Sequence, residues 1–265
     1  MSKKILFINQ EIAPYVPESE MALLGQQLPE YIQGKGCEIR TFTPKGGIIN
    51  ERRGQLHEVI RLSGLNIGVG GFDHPLLIKV ASIPVSRVQV YFIDNDEYFH
   101  KRKMALDDEG KEYADNGQRA IFFARGVLET VKKLRWTPDV IVCQGWMAAV
   151  VPVFVKYAYN EEPCFANTKI VTNIFEKSIK GEFVSNMKEC IEFQNANYEV
   201  LAPYNDQFDM AELLKLAIDN SDAVCVASAA ADEQTVAYAK TKGVPVLDYS
   251  PENNAETYHN FFENI

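Results

Sequence analysis

The 265-residue sequence contains neither GxxxxGK[ST] nor GxGxxG, so neither of the common glycine-rich phosphate cradles is present. HExxH and GxSxG are missing too, which removes the zinc-peptidase and nucleophile-elbow readings. Gly68, Gly70 and Gly71 cluster, but they follow no strong strand and open no helix, so a hairpin turn is expected there. His57, His74, His100 and His259 are isolated from one another and read as surface or loop residues rather than ligands or bases. No metal or cofactor motif is seen. The five cysteines, Cys37, Cys143, Cys164, Cys190 and Cys225, form no CxxC pair. An odd, scattered set fits reduced thiols of the cytosol better than a disulfide frame. There is no basic block: 27 basic against 36 acidic side chains give a net charge of -9, which excludes nucleic acid as a natural partner. Long apolar runs are also missing. Ile5 to Ile8 is too short for a signal segment or a membrane span and reads as a buried strand. A cytoplasmic chain with no membrane or nucleic-acid partner is therefore expected.

What is present is an alternation of short apolar runs with longer amphipathic segments, which predicts a parallel sheet covered by helices. Strands are expected at 4–9, 38–43, 140–143, 169–173, 223–227 and 243–247. Helices are expected at 18–34, 115–136, 148–159, 210–220, 229–242 and 251–262. Met21, Leu24, Leu28 and Ile32 share one face of the first helix, and Pro29 inside it predicts a kink or a break. Asp115 or Asn116 is placed to cap the 115–136 helix. Residues 46–94 differ in texture. Short β-rich pieces at 58–62, 76–83 and 88–93, two of them separated by Gly64 to Gly71, predict a β-hairpin insertion. The fold expected is a doubly wound, Rossmann-like α/β sheet, with no linker dividing residues 1–265.

Several ordered segments carry a family resemblance. Glu11-Ile12-Ala13-Pro14-Tyr15 gives a Glu-x-x-Pro turn after the first strand. Gly25, Leu28 and Pro29 fit a glycine–leucine–proline pattern in the first helix. Tyr91 to Phe99 reads YFIDNDEYF, Asp115-Asn116 is followed by Arg119, and Trp136 to Trp146 reads WTPDVIVCQGW. In this order and spacing they resemble the starch-synthase catalytic domain. This is the N-terminal half of the bacterial glycogen synthases, which have the two-domain GT-B architecture and make α-1,4-glucan from ADP-glucose. The resemblance covers almost the whole chain. It implies that residues 1–265 correspond to the N-terminal GT-B domain without its C-terminal companion.

The departures from the family pattern are as informative. Where the family opens its first helix with lysine and paired glycines, this chain has Pro17-Glu18-Ser19-Glu20-Met21. A lysine beside helix N–H groups suits a diphosphate. Glu18 and Glu20 would instead repel one, at about 1–4 kcal/mol per like-charge pair at ~4 Å. The family's His-Asp-Trp-His motif becomes Gln144-Gly145-Trp146-Met147, and its later His-Asn pair becomes Thr172-Asn173. The resemblance thus implies a domain that does not transfer glucose alone. Three readings follow: a glucan-binding or regulatory module, a glucosyltransferase subunit completed by a separate chain, or an unrelated small-molecule enzyme on the same scaffold.

The candidate cleft residues are Glu11, Asp94, Asn95, Asp115, Asn116, Arg119, Trp146 and Asn173, with an α-glucan or maltooligosaccharide as the expected ligand. Each also has a structural reading. Glu11 is a cleft residue or a helix-facing cap. Asp94 and Asn95 end a strand or make a turn, and Asp115 and Asn116 are caps or ligands. Arg119 pairs with a carboxylate, and Trp146 stacks on a sugar or packs in the core. Loops after the strands carry Tyr15, Tyr98, Phe99, Trp146, Met147 and Phe175. Exposed together, these would form a rim for self-association or a partner protein.

Overall fold

The computed structural model describes residues 2–184 and 186–265. The chain opens with β1 (Lys4–Asn9), α1 (Glu20–Gly34) and β2 (Glu38–Pro44). A short α2 (Glu51–Gly54) leads to β3 (His57–Glu58), β4 (Leu65–Val69), β5 (Phe72–Ser82) and β6 (Gln89–Asp94). Then come α3 (Asn116–Lys133), β7 (Val140–Gln144), a 3₁₀ turn at Trp146–Ala148, α4 (Val151–Val153) and a π-helical turn at Phe154–Ala158. After β8 (Lys169–Ile174) follow α5 (Met187–Ile191), α6 (Tyr198–Leu201), α7 (Met210–Asp219) and β9 (Ala223–Val226). Finally, α8 (Glu233–Thr241), β10 (Val246–Leu247) and α9 (Ala255–Glu263) end the described fold.

The strands lie in the order β10-β9-β8-β7-β1-β2-β6-β5-β3, with β4 paired to β5. Every pair from β10 to β6 is parallel, and β5 adds antiparallel to β6. The two-residue period of β1 shows why helices cover both faces. Ile5 and Phe7 join the core beneath α1 and α9, while Leu6 and Ile8 join the core beneath α3 and α7. Each such fully buried side chain contributes about 1.5–3 kcal/mol. Because β2 lies on one side of β1 and β7 on the other, the strand order reverses at β1. The crevice for ligands in such sheets opens at the carboxyl ends of the strands at this point.

The expected insertion is present but smaller. β4 and β5 form an antiparallel hairpin turned by Gly70 and Gly71, both at positive φ (60° and 85°). The glycine-rich stretch is therefore partly strand rather than a separator. β6 belongs to the parallel core instead, because Val90 to Asp94 are buried on both faces and Val90 to Ile93 pair with β2. The short helices α2, α5 and α6 carry too few turns to leave a periodic signal in the sequence.

Pro29 does not break α1, which runs unbroken to Gly34. A proline at this position frees the carbonyl of Gly25 from its helical donor. Asn9 Nδ2 takes that acceptor at 3.1 Å, so the sheet satisfies what the helix leaves open. Gly25 permits this approach, since a Cβ there would lie 2.5 Å from the Glu11 carbonyl oxygen.

Candidate functional site

At the carboxyl end of the sheet, β1, β7 and β8 place Asn9, Gln144 and Asn173 side by side in register, all three buried. The Asn9 amide holds Gly25, and Gln144 Nε2 donates to the Met21 carbonyl at 2.8 Å. Asn173 Nδ2 donates to Gln144 Oε1 at 3.4 Å. This row fixes α1 against the sheet edge. It leaves Asn9 Oδ1 and Asn173 Oδ1 enclosed and unpartnered, together with the indole N–H of Trp146. An enclosed polar atom without a partner costs about 1–3 kcal/mol.

The N-terminus of α1 is closed by the chain itself. Ser19 is the N-cap, and its Oγ accepts from the Ala22 N–H at 3.0 Å while donating to Glu11 Oε2 at 2.8 Å. A carboxylate therefore sits where a helix N-terminus would otherwise draw an anion. Glu18 and Glu20 are exposed beside it. Gly145, at φ 85°, passes so near Gln10 that a Cβ would lie 2.6 Å from that side chain. An aspartate here would have to displace it. Gln10 Oε1 accepts from the Met147 N–H at 3.5 Å. Thr172 commits its hydroxyl to Ser221, with the oxygens 2.8 Å apart in the interior.

The remaining candidates lie at the junction of β6 with α3. Asn95 makes the turn expected of it, its Oδ1 accepting from Glu97 N–H at 2.9 Å and Tyr98 N–H at 3.0 Å. Asp94 pairs with Lys79 at 2.8 Å. Lys79 and Lys45 also share Glu51 Oε1, at 2.7 and 2.8 Å, and hold its carboxyl below the usual range.

Two readings at this junction need correction. Asp115 occupies the N-cap of α3, but neither it nor Asn116 caps the helix through a side chain. Asp115 instead takes a bidentate pair from Arg102, at 2.5 and 2.7 Å, which fixes the preceding loop. Asn116 bonds the Ala105 carbonyl and accepts from Arg119. Among the described residues Arg119 pairs with no carboxylate. Fully buried, it donates to the carbonyls of Tyr98, Lys103 and Met104 and to Asn116 Oδ1, at 2.6–2.8 Å. Burial, reinforced by the neighbouring Arg102 charge, pushes its pKa down to about 10.

The aromatic rim is corrected as well. Tyr98, Phe99, Trp146, Met147 and Phe175 are all buried, and Tyr15 is half-buried. Trp146 lies 6.1 Å from the Phe183 ring, and Phe99 packs by Phe122. The loops after these strands turn back over the sheet and fold their aromatic residues inward.

Sequence reasoning missed Gln10, Gln144 and Ser19 as site-forming residues. The reversal of strand order at β1 identifies the first two once topology is known, and a serine before an acidic first turn is a capping signal for the third. No helix among the described residues is long and apolar enough to cross a membrane. A cavity of about 530 Å³ lies away from the crevice, between the Gly70–Gly71 turn, Arg125 and α5.

At this edge Lys45 and Lys79 are already paired, and three carboxylates, those of half-buried Glu11 and exposed Glu18 and Glu20, surround the α1 terminus. Such a terminus does not suit a diphosphate. The profile of the starch synthase catalytic domain family matches residues 4–244. The chain is 31% identical over 226 residues to the glycogen synthase of Chlorobaculum parvum, covering 85% of this chain and 46% of that protein. Against the glycogen synthase of Chlorobaculum tepidum it is 32% identical with the same coverage. With that of Pelodictyon phaeoclathratiforme it is 35% identical over 172 residues, 64% of this chain and 35% of that one. The chain spans about half or less of the length of these relatives. In fold it is similar to the catalytic domain of starch synthase IV from Arabidopsis thaliana bound to ADP and acarbose. The TM-score is 0.73 at 15% identity, over 93% of this chain and 52% of that one. The family match runs over most of the chain's length and the mainly parallel sheet agrees with it: the chain belongs to the starch synthase catalytic domain family.

Proposed function

We propose that this chain forms the N-terminal half of a GT-B fold and acts as an α-glucan-binding module that does not itself transfer glucose from a nucleotide sugar. The observation that carries this reading is the closed N-terminus of α1. Ser19 takes the Ala22 N–H and Glu11 takes the Ser19 hydroxyl, at 3.0 and 2.8 Å. A diphosphate approaching this terminus meets a carboxylate already in place, flanked by Glu18 and Glu20. Gly145, closely packed against Gln10, and Thr172, bonded to Ser221, support the reading. They stand where the family pattern has aspartate and histidine. An acceptor-like glucan needs no cationic pocket. The carboxylates of Glu11, Glu18 and Glu20 around the α1 terminus are groups that can accept hydrogen bonds from its hydroxyls.

Isothermal titration with maltoheptaose and, separately, ADP-glucose tests the proposal. Saturable heat is expected from maltoheptaose and none from ADP-glucose. Transfer of radiolabelled glucose from ADP-glucose or UDP-glucose to glycogen is expected to stay at the level of a boiled control. Incorporation clearly above that level, in protein free of host synthase, overturns the claim of no transfer. Absence of maltoheptaose binding overturns the glucan claim.

A further inference from the structure

The four histidines are scattered in sequence, but folding brings one of them to a cysteine and a carboxylate. Cys37 Sγ, one ring nitrogen of His259 and a carboxylate oxygen of Glu263 lie within 4.8 Å of one another. His259 and Glu263 are four residues apart on α9 and so share a face, while Cys37 stands between α1 and β2. This is the opposite end of the sheet from the carboxyl-edge crevice. His259 Nδ1 is enclosed and has no hydrogen-bond partner, so the protein does not hold this imidazole through that atom.

We propose that Cys37, His259 and Glu263 bind a divalent cation of the zinc class, clamping α9 to the turn between α1 and β2. One thiolate, one imidazole and one carboxylate form a mixed donor set of the kind zinc accepts. A thiolate and an imidazole disfavour magnesium and calcium, which take oxygen ligands. Bonds of about 2.3 Å to sulfur and 2.0–2.2 Å to nitrogen and oxygen place tetrahedral ligands roughly 3.5 Å apart. The side chains therefore close by about 1 Å around the metal, within the reach of side-chain rotation. Water completes the fourth position. Cys37 coordinates as the thiolate, and its proton leaves to solvent. Lys3 lies 3.8 Å from the Glu263 carboxylate and also donates to the Phe262 carbonyl at 2.6 Å. The cation displaces Lys3 from the carboxylate, and the lysine retains the carbonyl.

Equilibrium dialysis of the chelator-stripped chain against Zn²⁺ alone reads stoichiometry and affinity. Titration with Co²⁺ reads the thiolate-to-metal absorption band that only a coordinated cysteine gives. One equivalent of Zn²⁺, the Co²⁺ band and a higher melting temperature with Zn²⁺ are expected. Cys37→Ser should abolish the band, and His259→Ala should weaken binding at least tenfold. Both variants need to keep the circular dichroism of the parent. Lys3→Ala, which removes the competing charge, should tighten binding several-fold. No stoichiometric Zn²⁺ on the parent chain overturns the site. So does a folded Cys37→Ser variant that keeps the Co²⁺ band or the parent's affinity.

Discussion

Two polar regions carry most of the resemblance between this chain and its family, and they are built differently. At the junction of β6 with α3, Asn95, Asp115, Asn116 and Arg119 match the family pattern, and each has its side-chain groups engaged within the protein. At the carboxyl edge of β1, β7 and β8 the chain departs from the pattern at 17, 144, 145, 147 and 172. There, Asn9 Oδ1, Asn173 Oδ1 and the Trp146 indole N–H stay unpartnered. At the β6–α3 junction the matching residues hold loops and helices in place. At the edge, matches and departures are interleaved: Glu11, Trp146 and Asn173 keep the family pattern beside Pro17, Gln144, Gly145, Met147 and Thr172, which do not. A motif match in this family therefore has to be sorted by what its atoms touch before it is read as chemistry.

The comparison is broken most severely at the satisfied region. Arg119→Leu leaves three main-chain carbonyls and the Asn116 amide without a buried donor, at an expected cost on the order of 3–5 kcal/mol. Against a typical total of about 5–15 kcal/mol, this moves the urea midpoint sharply or prevents folding. Arg119→Lys gathers its donors on a single nitrogen, which cannot reach all four acceptors, and recovers only part of the loss. Urea unfolding curves of the two variants check this. A loss below about 1 kcal/mol in Arg119→Leu would show that the network is not a structural tie.

Gly25→Ala tests the edge region. The added methyl group would sit 2.5 Å from the Glu11 main-chain oxygen, so α1 or the β1 loop must shift. The expected loss is about 1–3 kcal/mol. The same shift moves Glu11 and Ser19, so maltoheptaose affinity should fall with stability. A Gly25→Ala variant that binds maltoheptaose as tightly as the parent would detach the α1 terminus from ligand binding.

The parallel core was legible because both faces of its strands are apolar, which leaves short unbroken runs such as Ile5 to Ile8 and Val140 to Cys143. The hairpin was legible from its glycines, although the same glycines hid β4. Pro29 makes no break, and the reason was not legible because it lies 20 residues earlier: Asn9 replaces the donor that the helix lacks. The rim aromatics were misplaced for a related reason. Sequence places them after strand ends but does not say whether a loop turns outward or back over the sheet. Nor was the closed α1 terminus visible, since Glu11 and Ser19 meet only when the loop between them folds.

A smaller effect separates capping from ligand exclusion. Ser19→Ala removes the cap from Ala22 and should cost about 1 kcal/mol. Glu11 then loses its hydroxyl partner but keeps its charge, so ADP-glucose binding should remain absent. Thermal unfolding gives the first quantity and calorimetry the second. A Ser19→Ala variant that binds ADP-glucose would show that the hydroxyl, rather than the carboxylates, keeps the terminus closed.

The smallest expected effect concerns Tyr15, in the loop that follows β1 at the same edge. Its ring stands edge-on to Phe92, with centroids 4.9 Å apart, and its hydroxyl is enclosed without a partner. Burial pushes its pKa up to about 12 from an ordinary 10. The folded value thus lies above the unfolded one. The stability tied to this group is fully present below pH 10. It declines as the unfolded chain ionises and is lost as pH rises through 12. Tyr15→Phe removes both the unpartnered hydroxyl and its titration. At pH 7 the variant should match the parent or exceed it by up to about 1 kcal/mol, because no hydrogen bond is lost and an unsatisfied group is removed. Between pH 10 and 12 its stability should fall less steeply than the parent's, the other buried tyrosines being common to both. Chemical unfolding at pH 7, 10 and 11 resolves the two statements. A clear loss at pH 7 would mean that the hydroxyl has a partner, and parallel slopes above pH 10 would mean that its ionisation is not linked to folding.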